Sequence, residues 1–220
     1  MSKETIWKNL KSKGFSDTAC AAIMGNIQAE SAFLSNNFED RTNKSLNITD
    51  AEYTAGVDSG KYDRDFFARE NGAYGGYGLC QWTEQSRSRN LYDFAKARGA
   101  SIADESMQLD FMLWELQNEF KSVYNVLNSD ASLYDMTKKF LVSFENPQDK
   151  SDKVVQYRVS LAQAIYNQFH GTSFDAQIET PTAPAETSTG TVTISREEYN
   201  FLTRCASVWL DVKDMLEALK

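Results

Sequence analysis

Apolar residues recur every three or four positions along most of the first 170 residues, a spacing typical of helices that bury one face. A short helix is predicted over residues 2–13, and Ser16 is a favourable N-cap for a second helix that follows it. No run of the chain shows sustained strand alternation, so the predicted fold class is mainly α. Further helices are predicted over residues 87–98, 107–120, 133–144 and 154–169.

Residues 32–78 interrupt the helical pattern. This stretch is rich in Asn, Asp, Ser and Gly, which predicts irregular structure with at most one short helix near residues 49–55. The composition also leaves room for one small hairpin. A long loop inside a compact domain is usually functional, so we expect this stretch to border a binding site.

The character of the chain changes again after residue 172. Residues 173–194 are rich in Thr, Ser and Pro and hold too little apolar surface to fold alone, which predicts a linker. Helical spacing resumes over residues 195–220. The sequence therefore predicts three parts: a folded domain over residues 1–172, the linker, and a separate C-terminal helix.

The C-terminal helix carries an uninterrupted apolar seam. Its members alternate in steps of four and three, as in a coiled coil: Phe201, Cys205, Val208, Val212, Met215 and Leu219. An isolated helix with so wide an apolar face should not stay alone in water. We expect it to form a homo-oligomer; folding back on the domain, or docking on another protein or a wall component, remain alternatives.

The overall charge and hydropathy exclude several partners. The formal net charge is −8, which disfavours nonspecific binding to nucleic acid because phosphate contacts require Lys and Arg. No segment approaches the roughly 20 apolar residues of a membrane span. The N-terminal residues lack the apolar stretch of a signal peptide, so synthesis in the cytoplasm without a leader is expected.

The cysteines and the histidine offer no metal site. Cys20, Cys80 and Cys205 are far apart, and His170 is the only histidine. This spacing matches no zinc motif, and we expect neither a metal nor another cofactor. Buried, unpaired thiols in a reducing compartment are the simplest interpretation.

Glu30 occupies an unusual position for a charged residue. It lies three residues after Ile27 and seven after Ile23, on the apolar face of the second helix. Burial favours the neutral form of a carboxyl, and a protonated carboxylic acid is what general-acid cleavage of a glycosidic bond requires. The alternative is that Glu30 ends the helix and reaches solvent.

A glycine-rich run over residues 72–83 follows the irregular stretch. Its glycines allow close approach of the backbone, and its spacing differs from that of a phosphate-binding loop. Tyr77, Gln81 and Trp82 offer flat apolar faces and amide hydrogen bonds, a combination suited to sugar rings. The alternative is a tight turn that packs its aromatic rings into the core.

Five segments in the same order resemble the phage tail lysozyme family, within the lysozyme-like superfamily of goose-type lysozymes and lytic transglycosylases. They are residues 25–33, residues 77–83, residues 108–111, residues 144–147, and Arg158 with Ala162 and Tyr166. The resemblance implies a lysozyme-like, two-lobed helical domain with Glu30 as the acid. It also implies that Ser31, Tyr77, Gln81 and Trp82 bind the glycan and that the bond between N-acetylmuramic acid and N-acetylglucosamine is cleaved.

The resemblance further implies where the protein acts. A bacteriophage glycosidase of this kind is made in the host cytoplasm and reaches the peptidoglycan either after release, as an endolysin, or as part of the virion. A non-catalytic module that binds the wall or builds the tail is the alternative from another class. A peptidase is disfavoured because the sequence has a single histidine and no metal-ligand spacing.

A hydrolase usually needs a second carboxylate as base or nucleophile. The candidates in the irregular stretch are Glu39, Asp40, Asp58, Asp63 and Asp65. Residues 53–58 also resemble the family, so Asp58 is ranked first. Without a second carboxylate, the 6-hydroxyl of the substrate would attack, as in lytic transglycosylases; glucosaminidases also use a glutamate, so the bond cleaved stays open.

Other charged residues are interpreted as structural. Glu145 and Arg158 are expected to form an ion pair that holds the last helix of the domain. Asp110 and Glu115 are expected on a solvated helix face.

Overall fold

The computed structural model describes residues 3–68 and 75–171, except for the side chain of Arg41. The helices of these residues are α1 (Lys3–Ser12), α2 (Asp17–Ser31), α3 (Asp40–Leu46), α4 (Asp50–Asp58), α5 (Arg64–Phe67), α6 (Gln85–Ala97), α7 (Glu105–Asn118), α8 (Lys121–Leu127), α9 (Leu133–Phe140), a π-helix (Leu141–Glu145) and α10 (Asp152–Phe169). The predicted fold class, mainly α, is confirmed. The linker over residues 173–194 and the helix over residues 195–220 lie outside the described residues.

Helix α2 lies at the centre of the core. Its N-terminus is fixed as predicted, because the Ser16 hydroxyl accepts a hydrogen bond from the backbone N–H of Ala19 at 3.1 Å. It packs mainly against α10 and α9. The crossing with α10 is close: a Cβ added at Gly25 would lie 2.7 Å from the backbone nitrogen of Ala162. Glycine is therefore needed at this position for the two backbones to approach each other.

The expectation that residues 32–78 hold at most one short helix is wrong. This stretch contains α3, α4 and α5, of which only α4 had been predicted, as a helix near residues 49–55. The short helices are set by their caps: Thr49 and Glu52 form a capping box, and the Asp63 side chain accepts from the backbone N–H of Phe66. Apolar spacing did not reveal α3 and α5, because helices this short have too few turns for an apolar stripe to be recognised in the sequence.

Aromatic rings connect α4 and α5 to the glycine-rich run. Phe38 and Tyr53 are stacked with ring centroids 3.8 Å apart, and Phe67 meets Tyr77 edge to face at 5.5 Å. No strand is found in residues 3–68 and 75–171; isolated bridges pair Tyr77 with Phe38 and with Trp82. The small hairpin considered for residues 32–78 is thus represented by isolated bridges alone in the described residues.

The structure confirms one predicted helix, adds another after it and divides a third. The helix predicted over residues 107–120 is α7, and α8, which had not been predicted, follows after a break at Phe120 (φ −111°, ψ 44°). The helix predicted over residues 133–144 begins as expected, since the Ser132 hydroxyl accepts from the backbone N–H of Asp135. It then widens into the π-helix, which ends where Asn146 adopts a left-handed conformation (φ 50°).

The two cysteines within the described residues, Cys20 and Cys80, are buried free thiols. Burial raises the pKa of Cys20 to about 12 and raises the pKa of Cys80 well above its ordinary value. Both thiols are therefore held in the unreactive, protonated form at neutral pH. In the part of the chain that the structure describes, no helix is long and apolar enough to cross a membrane.

Candidate active site

Glu30 lies in the last turn of α2, where the helix reaches two adjoining cavities. Its side chain is 20% exposed, so it is neither fully buried nor free in solvent. One cavity of about 430 Å³ is lined by Gln28, Ala29, Glu30, Ser31, Ala32, Leu34, Asn37, Glu39, Asp40 and Gln81. The other, of about 410 Å³, is lined by Glu30, Cys80, Gln81, Thr83, Glu84, Arg87, Glu145, Asn146 and Pro147. Glu30 and Gln81 border both.

Arg158 of α10 is the charged partner of Glu30. Its Nη2 donates to Glu30 Oε1 at 2.5 Å, and its Nη1 donates to the backbone oxygen of Asn26 at 2.9 Å. The expected ion pair between Arg158 and Glu145 is therefore wrong. Arg158 lies one turn before Ala162, which contacts Gly25, so it faces α2 and meets the helix that carries Glu30.

Glu145 ends the π-helix and borders the second cavity beside Glu30. The residue as a whole is partly exposed, but its Oε1 is buried and has no hydrogen-bond partner. Burial, followed by the nearby charge of Glu30, raises the pKa of Glu145 well above its ordinary value. The surroundings of Glu145 thus favour its neutral form, a property that sequence reasoning did not anticipate.

Gln81 is the member of the glycine-rich run whose side chain borders the cavities as predicted. It has a positive φ of 46°, and its side-chain nitrogen donates to the backbone oxygens of Asn37 and Gly78, each at 3.0 Å. Gly76 makes room for it, because a Cβ there would lie 2.7 Å from Gln81 Oε1. The glycines therefore hold this amide in one orientation.

Ser31 borders the first cavity, but its hydroxyl is used within the fold. It donates to the backbone oxygen of Leu79 at 2.9 Å and lies 3.2 Å from that of Ile27. With the residue only 3% exposed, Ser31 joins the end of α2 to the glycine-rich run.

The predicted placement of Tyr77 and Trp82 as cleft walls is corrected by the structure. Both side chains are 1% exposed, so neither ring has a free face for a sugar. The Tyr77 hydroxyl lies 2.6 Å from that of Thr54, and Trp82 Nε1 donates to Glu115 Oε2 at 2.7 Å. Tyr77 and Trp82 instead fit the alternative, in which a tight turn packs its aromatic rings into the core.

The expectation that Glu115 lies on a solvated face is also wrong, because its side chain is fully buried. Its carboxylate accepts from Trp82 and from Arg87, whose Nε and Nη2 lie 2.6 and 2.8 Å away. Burial opposes the charge of Arg87, but the hydrogen bonds and charge of Glu115 outweigh it and raise the Arg87 pKa. Arg87 Nη1 also donates to the backbone oxygen of Phe144 at 3.0 Å, which fixes the residue before Glu145. Asp110, half-exposed, pairs with Lys13.

Asp58 is occupied away from the cavities. Its two carboxylate oxygens accept from the hydroxyl of Ser101 at 2.5 Å and from the backbone N–H of Ile102 at 2.8 Å, and it borders neither cavity. Of the other candidates for the second carboxylate, Glu39 and Asp40 border the first cavity with Glu30. Residues 3–68 and 75–171 contain no group of three or more His, Cys, Asp or Glu that could hold a metal ion.

Comparison with known proteins identifies a family for this chain. Residues 2–169 match the family model described as phage tail lysozyme, a range that ends at the last residue of α10. A comparison with curated proteins finds no match. The matched range contains both cavities and all of the candidate site residues.

Proposed function

Because this chain belongs to the phage tail lysozyme family, we propose that it is a phage muramidase, a peptidoglycan glycosidase with Glu30 as its general acid. Family membership itself indicates a lysozyme-like, glycan-cleaving function. The observation that carries the finer assignment is the position of Glu30: its carboxyl borders both cavities at the end of a buried helix. A glycan strand that filled both cavities would pass directly over it.

The chemistry assigned to Glu30 is transfer of a proton to the glycosidic oxygen as the bond to the anomeric carbon breaks. Arg158 holds the Glu30 carboxyl from the side of α10, which limits its rotation. The Gln81 amide, fixed by its two backbone acceptors, stands beside it as a hydrogen-bonding group for the sugar. An acid placed in one orientation loses little entropy when the substrate binds.

The second half of the reaction has two candidate routes. A carboxylate on the first cavity, Glu39 or Asp40, could activate a water for hydrolysis, whereas Asp58 borders neither cavity. Alternatively, the 6-hydroxyl of the muramic residue could attack, which requires no second carboxylate and gives a 1,6-anhydro end. A transglycosylase is therefore the second candidate, favoured by the position of Asp58 away from both cavities.

The ends of the released fragments distinguish these routes. We expect the wild type to release fragments with reducing muramic ends from purified peptidoglycan, as read by mass spectrometry. Glu39→Gln is expected to lower the release rate by about 10²-fold, because the attacking water loses its base. Asp58→Asn, the matched control, should retain the wild-type rate once its thermal stability has been measured.

Other outcomes of these experiments would assign a different activity or a different second carboxylate. Anhydro-muramic ends from the wild type would assign a transglycosylase, and reducing glucosamine ends would assign a glucosaminidase. A large loss in Asp58→Asn with unchanged stability would restore Asp58 as the second carboxylate. If several types of wall yielded no fragments, the protein would be a wall-binding or tail-structural module.

The C-terminal region is proposed to assemble the protein without contributing to the chemistry. Deleting residues 175–220 should leave a folded domain that releases glycan at the wild-type rate, because the family match and α10 both end at residue 169. We expect light scattering to show a lower oligomeric state for the truncated chain. An insoluble or inactive truncated protein would mean that residues 175–220 belong to the domain.

A further inference from the structure

The second cavity is bordered by two carboxyls that the proposed chemistry leaves unused, the exposed Glu84 and the partly buried Glu145. The Oε1 of Glu145 is buried and has no hydrogen-bond partner, although a carboxyl group is strongly polar. Leaving such a group unsatisfied destabilises a fold, and the segment that carries it is nevertheless rigidly held by Arg87 through the backbone oxygen of Phe144. A carboxyl held in this way beside a catalytic acid suggests a role in the reaction.

The charged groups around Glu145 explain its state. Facing it are Glu30 from α2, Arg87 from α6, Glu115 from α7, Arg158 from α10 and the thiol of Cys80 from the glycine-rich run. Each arginine is already committed, Arg87 to Glu115 and Arg158 to Glu30. The charges of these two arginines lower the pKa of Glu145, but burial and the like charge of Glu30 outweigh them. Two carboxyls in this relation cannot easily both ionise.

We propose that Glu30 and Glu145 form a carboxyl pair that shares one proton, and that this proton is the one delivered to the glycosidic oxygen. The inference rests on the proposed function, since it names the source of the proton that Glu30 donates. In this pair Glu145 is the proposed carrier of the proton, and Arg158 contacts Glu30. Such a pair titrates as a unit, so the proton belongs to both carboxyls and not to either residue.

Substrate binding moves the proton to where it is needed. A glycan strand in the cavities would cover the exposed fifth of the Glu30 side chain, and loss of water disfavours a charged carboxylate. Both carboxyls border the second cavity, where a water or a sugar hydroxyl can bridge them. Glu30 then gives the proton to the leaving oxygen. The attacking water or 6-hydroxyl releases a proton in turn, which restores the pair to its starting state.

The first test reads protonation directly and does not depend on activity. In the full chain labelled with ¹³C at glutamate side chains, we expect the Glu145 carboxyl signal to titrate well above the ordinary glutamate pKa of about 4.3. That signal should vanish in Glu145→Gln. In Glu30→Gln the pKa read from the Glu145 signal should move toward the ordinary range, because the like charge of Glu30 is removed. A Glu145 signal that titrates near the ordinary glutamate pKa of about 4.3 overturns the inference, whatever the activity.

The second test follows glycan release against pH. As pH rises through the upper titration of the pair, the shared proton is lost and activity falls, which sets the alkaline limb of the profile. In Glu145→Gln, Glu30 must hold its proton alone beside Arg158, so the limb should move to lower pH by about one unit or more. A purely structural role for Glu145 would lower the rate without moving this limb.

Two further variants serve as controls. Glu84→Gln removes an exposed carboxyl from the same cavity and should leave the alkaline limb where it is. Glu145→Asp keeps a titrating group, so its alkaline limb should lie between those of Glu145→Gln and the wild type. If glycan is released and the limb of Glu145→Gln stays in place, the pair is disproved while the proposed function stands. If no glycan is released at any pH, the proposed function fails and the carboxyl signals still decide whether the pair exists.

Discussion

Glu30→Gln is expected to lower the rate of glycan release by about 10²–10⁴-fold, the usual contribution of a positioned general acid. The glutamine has nearly the same shape but cannot donate a proton to the glycosidic oxygen. Its side-chain oxygen can still accept from Arg158, so the end of α2 should keep its position. Release of soluble fragments from purified peptidoglycan, measured under single-turnover conditions, reads the chemical step directly.

The stability of the Glu30→Gln protein should change little. The variant loses the charge that faces Arg158, but it also loses the like charge that faces Glu145. We expect the free energy of unfolding to stay within about 1 kcal/mol of wild type, which corresponds to about 2–4 °C in melting temperature for a domain of this size. Glu4→Gln, on the exposed face of α1, is the matched control and should keep full activity. A variant that unfolds early yet releases glycan normally would disprove the catalytic assignment.

Glu115→Ala is expected to have the largest effect on stability of any single carboxyl replacement discussed above. Removing this buried carboxylate leaves the Arg87 guanidinium and the Trp82 N–H without their acceptor. Breaking a buried ion pair by deleting one partner costs about 3–5 kcal/mol. At about 2–4 °C for each kcal/mol, thermal unfolding followed by circular dichroism should show a drop of roughly 10 °C.

The controls for Glu115→Ala separate the pair from the helix that carries it. Glu119→Ala, one turn later and exposed, should change stability by no more than about 0.5 kcal/mol. The double variant Arg87→Met with Glu115→Leu removes both charges and should recover much of the loss, since an apolar pair can replace a buried ion pair. Equal destabilisation by the Glu119 and Glu115 variants would show that the carboxylate of Glu115 is not what stabilises this region.

The sequence was sufficient for those parts of the fold that depend on neighbours along the chain. Helix α2 and its cap at Ser16 follow from apolar spacing and from one hydroxyl, and both are confirmed. The position of Glu30 at the end of that helix follows from the same periodicity. Helices α3 and α5 escaped prediction because each is too short for an apolar stripe to show, and Phe67 of α5 packs edge to face on Tyr77 of the glycine-rich run.

The site was harder to predict because it depends on which groups meet across the core. Tyr77 and Trp82 have the composition of a sugar-binding wall, but composition does not say whether a ring is covered by its own chain. The partner of Arg158 is Glu30 and not Glu145, because Arg158 lies on the face of α10 that meets α2.

The burial of Glu115 could have been predicted from the sequence. It lies four residues after Phe111 and three after Met112, on an apolar stripe, as Glu30 does on its own helix. The argument that singled out Glu30 therefore applies equally to Glu115, and there it marks a buried structural ion pair. A glutamate on an apolar face thus indicates burial, and only the cavities distinguish the reactive residue from the structural one.

The π-helix at Leu141–Glu145 accommodates one residue more than an α-helix would over the same rotation. Each residue of an α-helix turns the chain by about 100°, and each residue of the wider π-helix turns it by less. Four α-helical residues therefore turn the chain by about as much as the five residues of this segment. An in-frame deletion of three nucleotides between Leu141 and Phe144 could thus restore α-helical winding and leave Glu145 facing close to its present direction. One codon separates the two windings, and an insertion or deletion of that size can exchange them while this carboxyl stays at the cavity.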